Sequence, residues 1–438
     1  MTFTFSTWAI LAIFVLTFIG IATEIINKAI LAVSAAALCI LLGLISEKSA
    51  GSFVDFGTLS LLFGMMIAVE IASMSGIFEL MSVKILKFTQ GRPLMIFLLF
   101  MTFTLFMSSV LNNVTTILIV LPLTIEITRG IGLNPRPFVF GEIFFANTGG
   151  LLTLIGDPVN TIMGTSVGLS MMQFIINLSI PVFIHAFVVL GFLYFAYKPQ
   201  FKSIKGSFSK MLHNQLVISS IEQRTQSRNF NKIFMIISSA ILVCTITGFL
   251  FADTLGVSAG GIALIGASAM LAMTFPFVSI EKVFRSLEWT TLLFFTGLFI
   301  LVGAVEQTGV LVALAHSLNG ITTNPQIFIG ILMLLTAVVS AFVDNIPFVT
   351  IMIPIMRTIS QGGMFSHSPD VLWWALSLAA VMGGMASPFG SSANIVALGT
   401  AAKSGYKVST KTYLSRSLAV SGSGLLIAYI YLITAYAF

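Results

Sequence analysis

Leu111-Asn112-Asn113-Val114-Thr115-Thr116-Ile117-Leu118-Ile119-Val120-Leu121-Pro122 and Val343-Asp344-Asn345-Ile346-Pro347-Phe348-Val349-Thr350-Ile351-Met352-Ile353-Pro354 each set polar, turn-favouring residues in the middle of a long apolar stretch, 93–127 and 325–360. The Asn and the Pro recur at one offset, 113 to 345 and 122 to 354, which is 232 residues. Working outward, Gly149-Gly150…Gly156-Asp157-Pro158-Val159-Asn160 returns as Gly383-Gly384…Gly390-Ser391-Ser392-Ala393-Asn394, 234 residues on. Ser75-Gly76-Ile77-Phe78 returns as Thr308-Gly309-Val310-Leu311, 233 residues on. Three signals in one register mark an internal repeat.

The medium around these motifs follows from composition. Of 438 residues, 57% are hydrophobic, and only 21 Lys+Arg and 15 Asp+Glu carry charge. A soluble domain is about a quarter charged, so a water-soluble enzyme is excluded and a polytopic membrane protein is expected. The +6 net charge is scattered through short loops instead of forming a stripe with interleaved aromatics, so no nucleic-acid partner is expected. Cys39 and Cys244 lie in separate apolar runs with no His or second Cys at metal-ligand spacing. No cofactor motif appears. The N-terminal run lacks a basic leader region and reads as a retained first span.

Ten apolar stretches have the length of about 20 residues that crosses a bilayer as helix: 8–23, 26–46, 56–78, 136–165, 172–197, 233–252, 256–276, 288–310, 371–400 and 413–437. If 93–127 and 325–360 are re-entrant hairpins and the N-terminus is outside, 19 of the 21 basic residues fall on the inner side, leaving Lys48 and Arg357 outside. Counting does not separate a hairpin from two full spans per stretch. The segment 198–232, with seven basic residues and one acid, reads as a cytoplasmic linker between a first half, 1–197, and a second half, 233–438. The expected fold is therefore all-α: two inverted repeats, each of five spans plus one re-entrant helical hairpin, with broken helices at 136–165 and 371–400. Both termini are expected outside.

Gly-Gly, Gly-Asp-Pro and Gly-Ser-Ser interrupt a helix, and Pro158 and Pro388 remove backbone donors. Broken backbone at membrane depth is tolerated where it is buried in protein or lines a polar cavity. Inverted repeats with discontinuous helices are a mark of secondary transporters, whose half-helix ends hold substrate and coupling ions. Each half keeps one carboxylate, in exchanged positions: Asn112 stands opposite Asp344, and Asp157 opposite Ser391. Acids inside spans are costly and usually functional. Asp157 and Asp344 are thus expected to carry the coupling charge, with neutral ligands from Asn112, Asn113, Thr148, Asn160, Asn345, Ser391, Ser392 and Asn394. The backbone of Gly149, Gly150, Gly156 and Gly390 is expected to line the same site. Na⁺, if it is the coupling ion, is expected near Asn113, Asn160, Asn345 and Asn394; the alternative ion is H⁺. Glu70, Glu126, Glu142 and Glu306 have less specific settings, and His185 reads as a satisfied interior histidine.

The Leu111–Thr116 run, the Ala146–Asn160 run, Val343–Phe348 and Gly390–Asn394 resemble the arsenite-permease and melanosomal P-protein branch of the ion transporter superfamily, a citrate-transporter-like domain. The likeness spans about residues 56–425. It implies a homodimer in which hairpins and broken helices slide against a scaffold of the other spans, and it favours hairpins over twelve plain spans. Relatives export arsenite or silicic acid or import di- and tricarboxylates, and resemblance to arsenite pumps implies that the basic linker docks a soluble ATPase. The chain departs from the branch at Asn112, where Asp is common, at Val159, where a second Pro is usual, and through Gly384–Gly390. The expected function is secondary active transport of a small anion or oxyacid in a bacterial inner membrane, coupled to H⁺ or Na⁺. A Na⁺/H⁺ antiporter or an anion channel is the alternative; no intramembrane-enzyme motif is present.

Overall fold

The computed structural model describes residues 4–23, 25–90, 92–201, 231–361, 364–365 and 368–436, and these contain helices and no strand. The first half runs α1 (Phe5–Thr23), α2 (Lys28–Leu41), α3 (Glu47–Phe53), α4 (Phe56–Met74), α5 (Ile77–Thr89), α6 (Pro93–Leu111), α7 (Asn113–Gly130), α8 (Arg136–Gly150), α9 (Pro158–Val167) and α10 (Met171–Phe201). The second runs α11 (Lys232–Leu250), α12 (Ala252–Leu255), α13 (Ala259–Thr274), α14 (Ile280–Ser286), α15 (Trp289–Gln307), α16 (Val310–Asn319), α17 (Pro325–Phe342), α18 (Asn345–Ser360), α19 (Val371–Met385), α20 (Ser392–Lys403) and α21 (Thr410–Ala435). Apart from the one-turn α12, the same succession of helices occurs twice. The expected linker lies, over 202–230, outside the described residues.

Among the described residues, eight helices are long and apolar enough to cross a membrane: α1, α4, α6, α10, α11, α15, α17 and α21. The 26–46 and 256–276 stretches form shorter helices, α2 with 14 residues and α13 with 16. The short helices α3 and α14 were not anticipated as elements. Each is started by a serine side chain, Ser46 or Ser279, accepting a backbone N–H from the first turn, which satisfies one of a helix's free donors. Both stretches read as broken helices are in fact interrupted, after Gly150 and after Met385, and both polar centres separate two helices, at Asn112 and at Val343–Asp344.

The halves pack through each other. α2 lies on α15 and α4 on α13. Glycines permit both crossings: a Cβ on Gly297 would stand 2.5 Å from the Ala32 backbone, and one on Gly64 2.5 Å from that of Ala263. In each half the first hairpin arm packs on the first half-helix, α6 on α8 and α17 on α19, whereas the second arm meets the other half's second half-helix, α7 on α20 and α18 on α9. The hairpin tips and the helix breaks of both halves therefore meet at the centre of the molecule.

Candidate functional site

The two breaks are built on the same plan. Between α8 and α9 the chain folds back until Gly150 and Gly156 touch: a Cβ on Gly150 would be 2.8 Å from the Gly156 carbonyl oxygen, and one on Gly156 2.6 Å from that of Gly150. Gly384 and Gly390 repeat this at 2.8 and 2.7 Å. Thr153 Oγ1 donates to the Ser109 carbonyl and accepts from the Gly156 N–H at 3.0 Å. Ser387 Oγ donates to the Ala341 carbonyl and accepts from the Gly390 N–H at 3.0 Å. Interrupting a buried helix leaves carbonyls without donors, and a carboxamide supplies them. Asn160 Nδ2 faces the carbonyls of Gly150, Leu151 and Thr153 at 3.3, 3.2 and 3.1 Å. Asn394 Nδ2 donates to those of Gly384 and Ser387, both at 2.9 Å.

Each hairpin is fastened to its break. Ser108 donates to the Ala146 carbonyl at 2.5 Å and its repeat partner Ser340 to Ala380 at 2.6 Å. Gly149 and Gly383 permit this approach, since a Cβ at either would collide with the backbone of Leu105 or Ala337. Two residues not singled out in the sequence tie the halves together. Ser377 donates to Asn160 Oδ1 at 2.5 Å, and Asn147 Nδ2 donates to Asn394 Oδ1 at 3.0 Å. Asn147 Oδ1 accepts from Ser391 Oγ at 3.0 Å. The amide oxygens of Asn160 and Asn394, expected as cation ligands, are thus already accepting hydrogen bonds within the protein frame.

Asp157 is fully buried. One carboxylate oxygen accepts the Val159 N–H at 2.9 Å, capping α9, and the other accepts Asn113 Nδ2 at 2.7 Å. Among the described residues no Lys or Arg pairs with it. Asp344, by contrast, pairs with Lys28 at 2.5 Å, and Lys28 also donates to Ser392 Oγ at 3.1 Å and lies over the Phe294 ring. Lys28, counted in the sequence as a loop charge on the inner side, opens α2 and reaches the centre. Asn112 caps α7 by accepting the Thr115 N–H at 2.9 Å and adopts φ +70°, ψ 160°, a conformation essentially confined to glycine. Thr148 bonds His185 at 3.2 Å and does not line the central cavity, and His185 also meets the Val420 carbonyl, as a satisfied interior histidine should.

A cavity of about 330 Å³ opens where these parts converge. Asn112, Asn113 and Asp157 face it from the first half and Asn345, Ser391 and Ser392 from the second, together with Lys28, Glu288, Phe294, Thr290 and Thr291. One ammonium thus stands against three carboxylates, Asp157, Glu288 and the paired Asp344. Such a site suits cations, neutral acids, or anions that enter with cations.

Residues 18–379 match the family model described as citrate transporter, CitMHS. The chain belongs to the citrate transporter (CitMHS) family. An uncharacterized transporter of Mycobacterium tuberculosis is 30% identical over 429 residues, covering 96% of this chain and 97% of that protein. The 46 kDa membrane protein of Mycobacterium leprae is 31% identical with the same coverage. The P protein of Mus musculus is 28% identical over 88% of this chain and 54% of its own length. The resemblance read from the hairpin and break motifs is therefore upheld. Among solved structures, the Alcanivorax borkumensis YdaH transporter, described as having an unusual topology, matches with a TM-score of 0.55 at 14% identity, over 90% of this chain and 87% of that one. This likeness concerns the fold alone. The protein is a multi-pass membrane transporter, and the hairpin tips and helix breaks of its two halves meet around the cavity that Asp157 lines.

Proposed function

We propose that this transporter moves a small oxyacid or carboxylate by secondary active transport coupled to H⁺ or Na⁺, with the central cavity as its binding site. The observation that carries this reading is the convergence of both hairpin tips and both helix breaks on one cavity holding Asp157, a buried carboxylate with no ion-pair partner among the described residues. A bare carboxylate at that depth favours the arrival of a cation or a proton. The excess of carboxylates over ammonium also means that an anionic substrate enters with compensating positive charge, which is the physical content of coupling. The same excess favours a second reading, exchange of Na⁺ for H⁺ with no organic or oxyanion substrate.

Inverted repeats complete the scheme. The positive-inside count supports opposite orientations for the two halves with both termini outside, bacterial transporters among the relatives support an inner membrane, and alternating access then follows from two similar half-structures exchanging conformations. Purified protein in liposomes would be screened with As(III), citrate, succinate and Na⁺ under an imposed pH or Na⁺ gradient. Gradient-driven flux of one solute, losing its gradient dependence in Asp157→Asn, supports the carrier. Flux that ignores both gradients and survives the substitution refutes coupling and favours a channel.

A further inference from the structure

The repeat frame is symmetric, but the charges on it are not. Lys28, Asp344 and Ser392 form one cluster, with Lys28 Nζ 2.5 Å from Asp344 Oδ2 and 3.1 Å from Ser392 Oγ. Their repeat counterparts are Ala259, Asn112 and Pro158, which carry no charge. The register for Lys28 comes from the packing: Gly297 meets Ala32 as Gly64 meets Ala263, an offset of 231 that carries Lys28 onto Ala259. A carboxylate at the hairpin tip is therefore present where an ammonium is present, and both are missing together at the other tip. Asp157, the remaining acid of the motifs, bonds Asn113 and a backbone N–H and, among the described residues, pairs with no ammonium.

We propose that the Lys28 ammonium is a resident cation at Asp344, occupying there the place of a soluble monovalent cation, so that Asp157 alone takes up cation from solution. Lys28 is well placed for this. It starts α2, which packs on α1 and α15, while Asp344 and Ser392 belong to the hairpin and the second half-helix. The tethered charge thus reaches across from a different layer, just as an ion entering the cavity would. Its side chain is 28% exposed and that of Asp344 13%; Lys28 and Ser392 line the cavity with Asp344 paired behind them, and Asp157 and Glu288 are the other ionisable groups facing the same space. Removing the ammonium creates a second soluble-cation site.

This inference rests on the cation-coupled reading of the cavity, and its test reads binding instead of transport. The full-length protein would be purified as wild type, Lys28→Met, Asp344→Asn and the double variant. Unfolding midpoints would be followed as Na⁺ replaces choline at constant ionic strength and, separately, as pH is lowered. Lys28→Met should unfold at a lower temperature in choline and recover saturably with Na⁺, beyond any shift seen in wild type. The double variant should lose that extra recovery. A Lys28→Met midpoint that follows Na⁺ no more than wild type overturns the proposal, as does a double variant that keeps the extra Na⁺ recovery; recovery on acidification alone also overturns it, since the unpaired Asp344 left by a merely structural ion pair would be relieved by a proton and not by Na⁺. Absence of gradient-driven flux in wild type would instead remove the coupling reading and leave this titration interpretable.

Discussion

Asn394→Ala separates a frame role for the recurring asparagines from a role as ion ligands. Asn394 is fully buried; it donates to the Gly384 and Ser387 carbonyls at 2.9 Å each and accepts from Asn147 at 3.0 Å. Alanine leaves both carbonyls without this donor inside an apolar molecule, and a buried group left unpaired costs about 1–3 kcal/mol. Asn147 Nδ2 keeps its bond to the Ile143 carbonyl at 2.8 Å, so its loss is partial. The two carbonyls share one loop and their costs are not additive, which puts the expected destabilisation on the order of 3–4 kcal/mol. Asn394→Asp should be at least as damaging, because it turns an oxygen toward two carbonyl oxygens. Ser377→Ala removes one donor to Asn160 and should lose about 1 kcal/mol. Unfolding of the purified protein in detergent, followed by denaturant or heat, ranks the three. Asn394→Asp as stable as wild type, or stabilised by Na⁺, would refute the frame role and restore the amide as a cation ligand.

Gly383→Ala forces a Cβ into the Ala337 backbone and should cost about 1–3 kcal/mol, whereas Gly422→Ala, with nothing within 4 Å, should leave stability unchanged or raise it; equal effects in unfolding assays would refute the close-packing account. Glu142 is fully buried; among the described residues neither carboxylate oxygen has a hydrogen-bond partner, although the Thr124 side chain lies near, and its repeat counterpart is the buried Leu376. Glu142→Leu should therefore raise stability by about 1–3 kcal/mol, and a lower unfolding midpoint would show that the carboxyl has a structural partner. Asp157→Asn keeps an oxygen for the Val159 N–H but turns its NH2 toward that of Asn113, so it should fold with a loss of about 1–3 kcal/mol and make flux in liposomes insensitive to the imposed pH or Na⁺ gradient; retained gradient dependence would move the coupling charge elsewhere.

The breaks and tips were legible in the sequence because Gly, Pro, Asn and Asp are conspicuous against an apolar background, and because each signal came twice in one register. Recurrence of Asn160 as Asn394 showed that the position matters, but nothing in one dimension tells which way an amide points. Asn147 and Ser377 are single polar residues within spans, joined to Asn394 and Asn160 across 247 and 217 residues. Pairings that long leave no local trace. Lys28 was misread for a different reason: a lysine between two apolar runs ordinarily reports topology. Its pairing with Asp344 spans 316 residues. The signal that would have exposed it is comparative, since once Asp344 is seen to replace Asn112, the position replacing Ala259 is the one to inspect.

Where the halves agree and where they differ argues for a division of labour. The contacts shared by both copies are those that hold broken backbone: Ser108 and Ser340, Thr153 and Ser387, Asn160 and Asn394, and the paired glycines. Asn147 and Ser377 are frame residues of one copy each, and the other differences lie at the cavity, where Asn112, Asp157, Pro158, Ser391 and Ser392 line the wall and Asp344 holds the lysine that does. A frame held largely alike by both copies gives two half-structures of similar energy, which is the condition for a carrier to exchange between two states with little bias of its own. A ligand shifts such a balance only through its differential affinity for the two states. With the frame nearly neutral, that difference must come from the unequal wall of the cavity. Charge placed asymmetrically on a symmetric frame thereby gives cation occupancy control over the exchange, and it explains why the carboxylates occupy exchanged positions instead of being duplicated.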